Sequence, residues 1–147
     1  MTECDLCNIE ESNPTLIRRS EYWTVLGNYK QPTLGSSLIV LNRHAENLSD
    51  LKETECNDYF RTVQDLEWAL RQTFAPNMIN HLMLGNRVRH VHYHVVPRYE
   101  NEVRFFGTVW KDENYGKMPI LSTEVREPLV VEEVVKTLAM QIVNPKK

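Results

Sequence analysis

The stretch "RHVHYHVVPR", Arg89 to Arg98, sets His90, His92 and His94 at every second position and closes on Pro97 and Arg98. An extended chain turns successive side chains to opposite faces, so residues two apart repeat along one face at about 7 Å. The spacing predicts a strand that packs Val91, Tyr93 and Val95 on one side and presents three of the chain's five histidines on the other. A neutral imidazole has one lone pair. It can ligate a transition metal, accept a proton or attack an electrophile such as a phosphorus centre, and each use demands different neighbours.

Ligands for a metal stand elsewhere in the chain: Cys4 and Cys7 in "CDLC", and His44 in "LNRHAEN". Two thiolates and two imidazoles make a closed tetrahedral set suited to structural zinc, although spacing alone does not say which of the three histidines completes it. The start "MTECDLCNIE" has neither a basic opening nor an apolar run, and no later run approaches a membrane span, so a cytosolic, reducing location is expected. There a Cys-x-x-Cys pair binds metal or does redox chemistry more often than it forms a structural disulfide.

Around the histidine stretch, "TLIRRS", "YWTVLGN" and "SSLIVLN" read as strands, the last two parted by a turn carrying Pro32 and Gly35. From Thr54 to Phe74 the apolar positions Cys56, Phe60, Val63, Leu66, Leu70 and Phe74 recur at steps of three and four. This predicts a long helix with Thr54 as N-cap and Pro76 beyond its end, and it puts Cys56 on the apolar stripe as a buried thiol. "NMINHLML" reads as a further strand before the triad. "PLVVEEVVKTLAMQIV" reads as a C-terminal helix with Pro128 in its first turn and Leu129, Val131, Val134, Val135, Leu138 and Ile142 on its apolar side. Strands interrupted by helices without regular alternation indicate an α+β fold with a mainly antiparallel sheet.

A chain of 147 residues without repeats or a linker is expected to form one domain. Its net charge of −3, with both signs interspersed, provides no broad positive field for gripping nucleic acid or an anionic membrane. Any phosphate must be bound locally.

The string from His90 to Arg98, with Arg43 and His44 upstream and "LGNRV" just before it, resembles the histidine triad motif of the HIT family of nucleotide hydrolases and transferases. The likeness runs over most of residues 4 to 111 and fades after Trp110. It implies a single HIT-like domain over residues 1–147: a zinc-tethered segment at 1–12, a HIT core at 13–111 and a C-terminal extension at 112–147. The resemblance also implies that Cys4, Cys7, His44 and the first triad histidine, His90, hold the zinc, with no organic cofactor.

By the same resemblance, His92 is the nucleophile, attacking the α-phosphorus of a nucleotide to form a covalent nucleotidyl-histidine. His94 then neutralises phosphoryl charge and, when protonated, assists the leaving group. The uridylyltransferase branch carries glutamine at that third position, so histidine favours hydrolysis. Asn28 matches a ribose-binding position, and Asn86, after Gly85, stands in for the usual glutamine as a phosphate donor. Asn80, on the preceding strand, is a further phosphate-side candidate, while Trp23 and Leu26 are either base-pocket or core residues. Two positions depart from the family pattern: Ser36 replaces a histidine near the site, and Leu41 replaces a proline at a strand end.

The expected function is hydrolysis at the α-phosphate of a dinucleoside polyphosphate or nucleoside phosphoramidate. The alternative is a nucleotide-binding regulatory module with incidental turnover. A redox sensor built on Cys4 and Cys7 would leave the period-two histidines and Asn28 without a purpose. A homodimer is implied by resemblance, and no nucleic-acid module is apparent.

Overall fold

The computed structural model describes residues 4–121 and 124–143, so the outermost parts of the expected segments 1–12 and 112–147 lie outside the described residues. Alternating and continuous apolar runs make the first three strands, β1 (Leu16–Arg19), β2 (Trp23–Gly27) and β3 (Ser37–Leu41), an antiparallel meander. The long helix α1 (Glu53–Phe74) follows, then β4 (Met78–Leu82) and β5 (His92–Arg98). β5 inserts between β3 and β4, giving the antiparallel order β1-β2-β3-β5-β4.

Directly paired residues share a face of the sheet. Val25, Ile39 and Tyr93 therefore lie on one side, and Thr24, Val40 and His92 on the other, with Leu26, Leu38 and His94 beside them. The first side is covered by α1 and by α2 (Pro128–Val143). Trp23 is fully buried there, its indole N–H donating to the Glu55 carbonyl of α1 at 2.8 Å. Val135 of α2 presses on the sheet so closely that a Cβ on Gly27 would lie 2.5 Å from its methyl group. The result is the mainly antiparallel α+β architecture expected, with the histidine face free of helices. Neither helix, among the described residues, is long and apolar enough to cross a membrane.

α1 begins before Thr54. Lys52 is the capping residue, and its backbone N–H donates to the Glu55 carboxylate at 3.0 Å. That carboxylate is buried because Arg43 grips both its oxygens, at 2.9 and 2.8 Å, and the guanidinium holds its carboxyl below the usual range. Burying Glu55 rotates the first half of the helix. Its inward line runs through Glu55, Thr62, Leu66 and Ala69, so Cys56 is only half-buried and Phe60 is 64% exposed. The expected apolar stripe holds only in the second half, where Leu66 and Leu70 are buried. In α2, likewise, Val131, Val134 and Leu138 face the core while Leu129 faces solvent.

A hairpin that the sequence does not announce follows β5: β6 (Val103–Phe105) and β7 (Thr108–Trp110) flank a two-residue turn. Phe106 (φ 49°) and Gly107 (φ 74°) both adopt left-handed backbone there, the geometry of a tight hairpin turn. The usual Asn-Gly or Asp-Gly signature is absent, which is why the turn is hidden.

Beyond the hairpin the chain is pinned to the sheet by Arg98. Its side chain is 1% exposed and its donors all find acceptors: both Asp112 oxygens at 2.7 and 3.1 Å, Asn80 Oδ1 at 2.9 Å, and the carbonyls of Lys117 and Asn114 at 2.7 and 2.6 Å. Removing one partner of such a buried pair strands the other. Arg98→Ala is expected to lower unfolding free energy in urea by about 3–5 kcal/mol, with an apolar pair at Arg98 and Asp112 recovering part of it. A loss below about 1 kcal/mol would contradict this assignment.

Candidate functional site

β5 joins the ladder at His92, two residues later than the period-two pattern suggests. Just before it, Val91 still meets the end of β3 and the loop after it, the Leu41 N–H donating to the Val91 carbonyl at 3.1 Å and the Val91 N–H to the Ala45 carbonyl at 2.7 Å, while the His90 N–H donates to the Val88 carbonyl at 3.0 Å. A proline at position 41, the residue expected from the resemblance, has no N–H to make the first of these. His90 belongs to the cluster with Cys4, Cys7 and His44, and it is not among the residues lining the cavity that holds His92 and His94.

The buried His90 ring is fixed from one side by its Nε2–H, which donates to the Leu41 carbonyl at 2.7 Å. Nδ1 therefore carries the lone pair, and it lies 3.4 Å from Cys4 Sγ and 3.5 Å from Cys7 Sγ. Cys7 Sγ is in turn 3.3 Å from His44 Nδ1, and the four ligand atoms fall within 4.8 Å of one another. Sulfur and nitrogen bound to one tetrahedral zinc stand about 3.5 Å apart, given metal distances near 2.3 and 2.0 Å. The cluster could hold a metal ion. Burial, and then the neighbouring Cys4, push the Cys7 thiol up. Burial lowers the pKa of His90, which favours the neutral form a ligand needs. The Leu41 carbonyl orients the ring from behind, and Glu46 Oε1 stands 3.6 Å from His44 Nε2.

The His90 carbonyl faces the next histidine. His92 Nδ1 lies 2.6 Å from it, and because a carbonyl only accepts, Nδ1 must donate, so the neutral ring carries its lone pair on Nε2. His94 meets His92 edge to face, ring centres 5.4 Å apart. Burial, and then the neighbouring His92, lower the pKa of His94. In the free protein this favours the neutral ring, and a phosphate dianion beside it would favour the protonated one.

Both histidines line a cavity of about 580 Å³, within the range of small-ligand sites. Asn28 and Lys30 border it from the loop after β2, where Asn28 Oδ1 also accepts the Lys30 N–H at 3.0 Å. The loop before the triad supplies Gly85, Asn86 and Arg87. Gly85 has φ 63°, a left-handed conformation that favours glycine and turns the chain along the wall. Asp5, from inside the Cys-x-x-Cys loop, together with Leu84, Val88 and Leu121, completes the border.

The structure therefore brings Asn28, Asn86, His92 and His94 to one cavity and gathers Cys4, Cys7, His44 and His90 into an adjoining cluster. It does not bring Asn80 to the cavity. That carboxamide shares the histidine face but sits opposite Val96 and is committed to Arg98. Trp23 belongs to the core beneath α1, whereas Leu26 lies on the histidine face. Ser36 is buried and turned into its own loop, its hydroxyl donating to the Thr33 carbonyl at 2.8 Å. Sequence reasoning missed Asp5, Lys30, Arg87 and Leu121. The first three are sequence neighbours of recognised positions, which was the available signal; Leu121 has none.

Comparison with known proteins follows the same lines. A relative from Bacillus subtilis, named Protein hit, is 34% identical over 86 residues, covering 55% of this chain and 59% of its own length. Bis(5'-adenosyl)-triphosphatase of Saccharomyces cerevisiae is 35% identical over 88 residues, covering 56% of this chain and 43% of the yeast protein. The chain thus matches only about half the length of these curated relatives. Among solved structures, a hypothetical histidine triad nucleotide-binding protein from Sulfolobus tokodaii superposes with a TM-score of 0.73 at 18% identity, over 90% of this chain and 85% of that one. A zinc-bound histidine triad family protein from Mycobacterium smegmatis gives 0.63 at 19%, over 88% and 84%. Both share the fold. The HIT domain family model matches residues 10–101, which contain the whole triad strand and its partners in the sheet, and the chain belongs to the HIT family.

Proposed function

We propose that this chain is a nucleotide hydrolase that works through a covalent nucleotidyl-His92. The observation carrying this reading is the 2.6 Å hydrogen bond from His92 Nδ1 to the His90 carbonyl, which in the neutral ring selects the tautomer with its lone pair on Nε2, beside a ligand-sized cavity. The Nε2 lone pair forms a bond to the α-phosphorus, and the bond to the leaving group breaks with its electron pair departing on that group. Nδ1–H keeps its hydrogen bond throughout, so the charge gained by the ring is met by the carbonyl dipole. Water then attacks phosphorus, and the N–P electron pair returns to Nε2. Asn28 serves the ribose hydroxyls, Asn86 donates to a phosphoryl oxygen, and His94 lies beside the nucleophile to exchange a proton with the leaving group or the water. The triphosphatase activity named for the yeast relative supports this reading. A cytosolic location and a homodimer belong to the same proposal.

Cys4, Cys7, His44 and His90 are the residues that would hold structural zinc. Zinc bound there supplies a cross-link between the N-terminal segment and the residue whose carbonyl orients His92. His44 and the cysteines fix His90, and His90 fixes the tautomer of His92.

Intact-protein mass spectrometry after rapid quenching with diadenosine triphosphate tests the nucleophile. Wild type is expected to show a nucleotidyl adduct or released mononucleotide, and His92→Ala neither, with turnover down on the order of 10³-fold or more. Unchanged turnover in His92→Ala would refute the assignment. Binding without adduct or product would favour the regulatory module instead.

Metal analysis of protein purified without added metal is expected to find one zinc per chain. Chelation or His44→Ala should remove it and lower the melting temperature, consistent with several kcal/mol of metal-linked folding energy. Absence of zinc together with an unchanged melting temperature in His44→Ala would contradict the four-ligand site.

A further inference from the structure

The loop after β2 is where the triad cavity meets the C-terminal extension. Asn28 lines the cavity from that loop, and its Oδ1 accepts the backbone N–H of Lys30 at 3.0 Å. A backbone N–H only donates, so the carboxamide turns its oxygen to the loop and keeps its Nδ2 donors for the cavity. The Lys30 N–H belongs to the same planar trans peptide as the Tyr29 carbonyl, which points the opposite way. That carbonyl accepts the Arg126 N–H at 2.9 Å. One rigid peptide group therefore links Arg126 to the orientation of the Asn28 side chain.

Arg126 is itself anchored. Its guanidinium carbon lies 5.0 Å from the ring centre of the buried Trp110, within the range of a cation–π contact. The Trp110 indole N–H in turn donates to the Gln31 carbonyl at 3.2 Å, so the Trp110–Arg126 pair holds the carbonyls of the residues on either side of Lys30. Buried Gln31 ties the loop internally: its Nε2–H donates to the Asn28 carbonyl at 2.7 Å, and its Oε1 accepts the Gly35 N–H at 2.8 Å. Glu124, Val125 and Glu127 around Arg126 are exposed, so the stack on Trp110 is what anchors this stretch against the loop.

We infer that Arg126 is a positioning residue for nucleotide binding: stacked on Trp110, it fixes the Tyr29–Lys30 peptide and thereby aims the Asn28 carboxamide at the ribose. The inference rests on the nucleotide reading above and extends it to Trp110 and Arg126, which lie beyond the family match at 10–101. Any residue but proline has the N–H that meets Tyr29. The arginine side chain adds the anchorage. A donor held ready in this way serves substrate and transition state alike, so its loss falls on binding and not on the chemical step.

The test combines calorimetric binding of AMP, steady-state kinetics with diadenosine triphosphate and amide hydrogen exchange, on wild type, Arg126→Ala and Arg126→Lys. Arg126→Ala is expected to weaken AMP binding and raise KM by about threefold or more at nearly unchanged kcat, and to speed exchange of the Lys30 amide. Arg126→Lys, which keeps a cation over the ring, should recover part of each. A merely structural role would shrink the folded fraction, and kcat with it, at unchanged KM and AMP affinity. Unchanged AMP affinity in Arg126→Ala would overturn the inference, and so would unchanged exchange at Lys30. If wild type binds AMP without turning over the triphosphate, the hydrolase reading fails, yet weaker AMP binding in Arg126→Ala still supports the positioning role. Wild type that binds no AMP would overturn that role.

Discussion

A single hydrogen bond, from His92 Nδ1 to the carbonyl of His90, decides what the candidate site can do, and most of the surrounding structure bears on its geometry. That carbonyl adjoins Val91, whose backbone is held by Leu41 and Ala45, and the His90 N–H itself donates to the Val88 carbonyl. The His90 ring is then held between the Leu41 carbonyl and the two cysteine sulfurs. One histidine is thereby spent on orienting the next. A buried imidazole without such a partner would populate both tautomers, and only one of them presents a lone pair at Nε2.

The sheet divides the work between its faces. The side bearing Trp23, Ile39, Leu41 and Val95 is packed against the helices and supplies the core. The other side carries the imidazoles and is bordered by loops. Charge is distributed on the same plan. Arg43 with Glu55 and Arg98 with Asp112 are internal ties, each with its hydrogen bonds made within the protein. Lys30, Arg87 and Asp5 border the cavity, where a ligand can reach them.

How much of this was legible in the sequence depended on how local the signal was. The triad has a period that only an extended backbone rationalises, and Cys4 with Cys7 has a spacing that only a tight turn rationalises, so both were readable. His44 became readable as a ligand only through the family pattern. The N-terminus of α1 was misread because its first turn follows a buried ion pair: Glu55 looks like a surface residue until Arg43 is known to face it. Cys56 and Phe60 lost their expected burial for the same reason. Asn80 was misjudged because its real partner, Arg98, is far along the chain and its polarity alone suggested a ligand. The hairpin at Phe106 and Gly107 was hidden by turn residues of unusual type. Apolar periodicity reports burial faithfully only where no buried charge competes for the same helix face.

The most direct test of the account is the tautomer of His92. Nitrogen-15 NMR of the imidazole rings in the metal-loaded protein near neutral pH, assigned with His92→Ala, reads which nitrogen carries the proton. The account predicts a proton on Nδ1 and a bare Nε2, with that distinction lost when His44→Ala loosens the cluster that holds His90. A proton on Nε2 in the intact protein would contradict it, because no lone pair would then face the phosphorus.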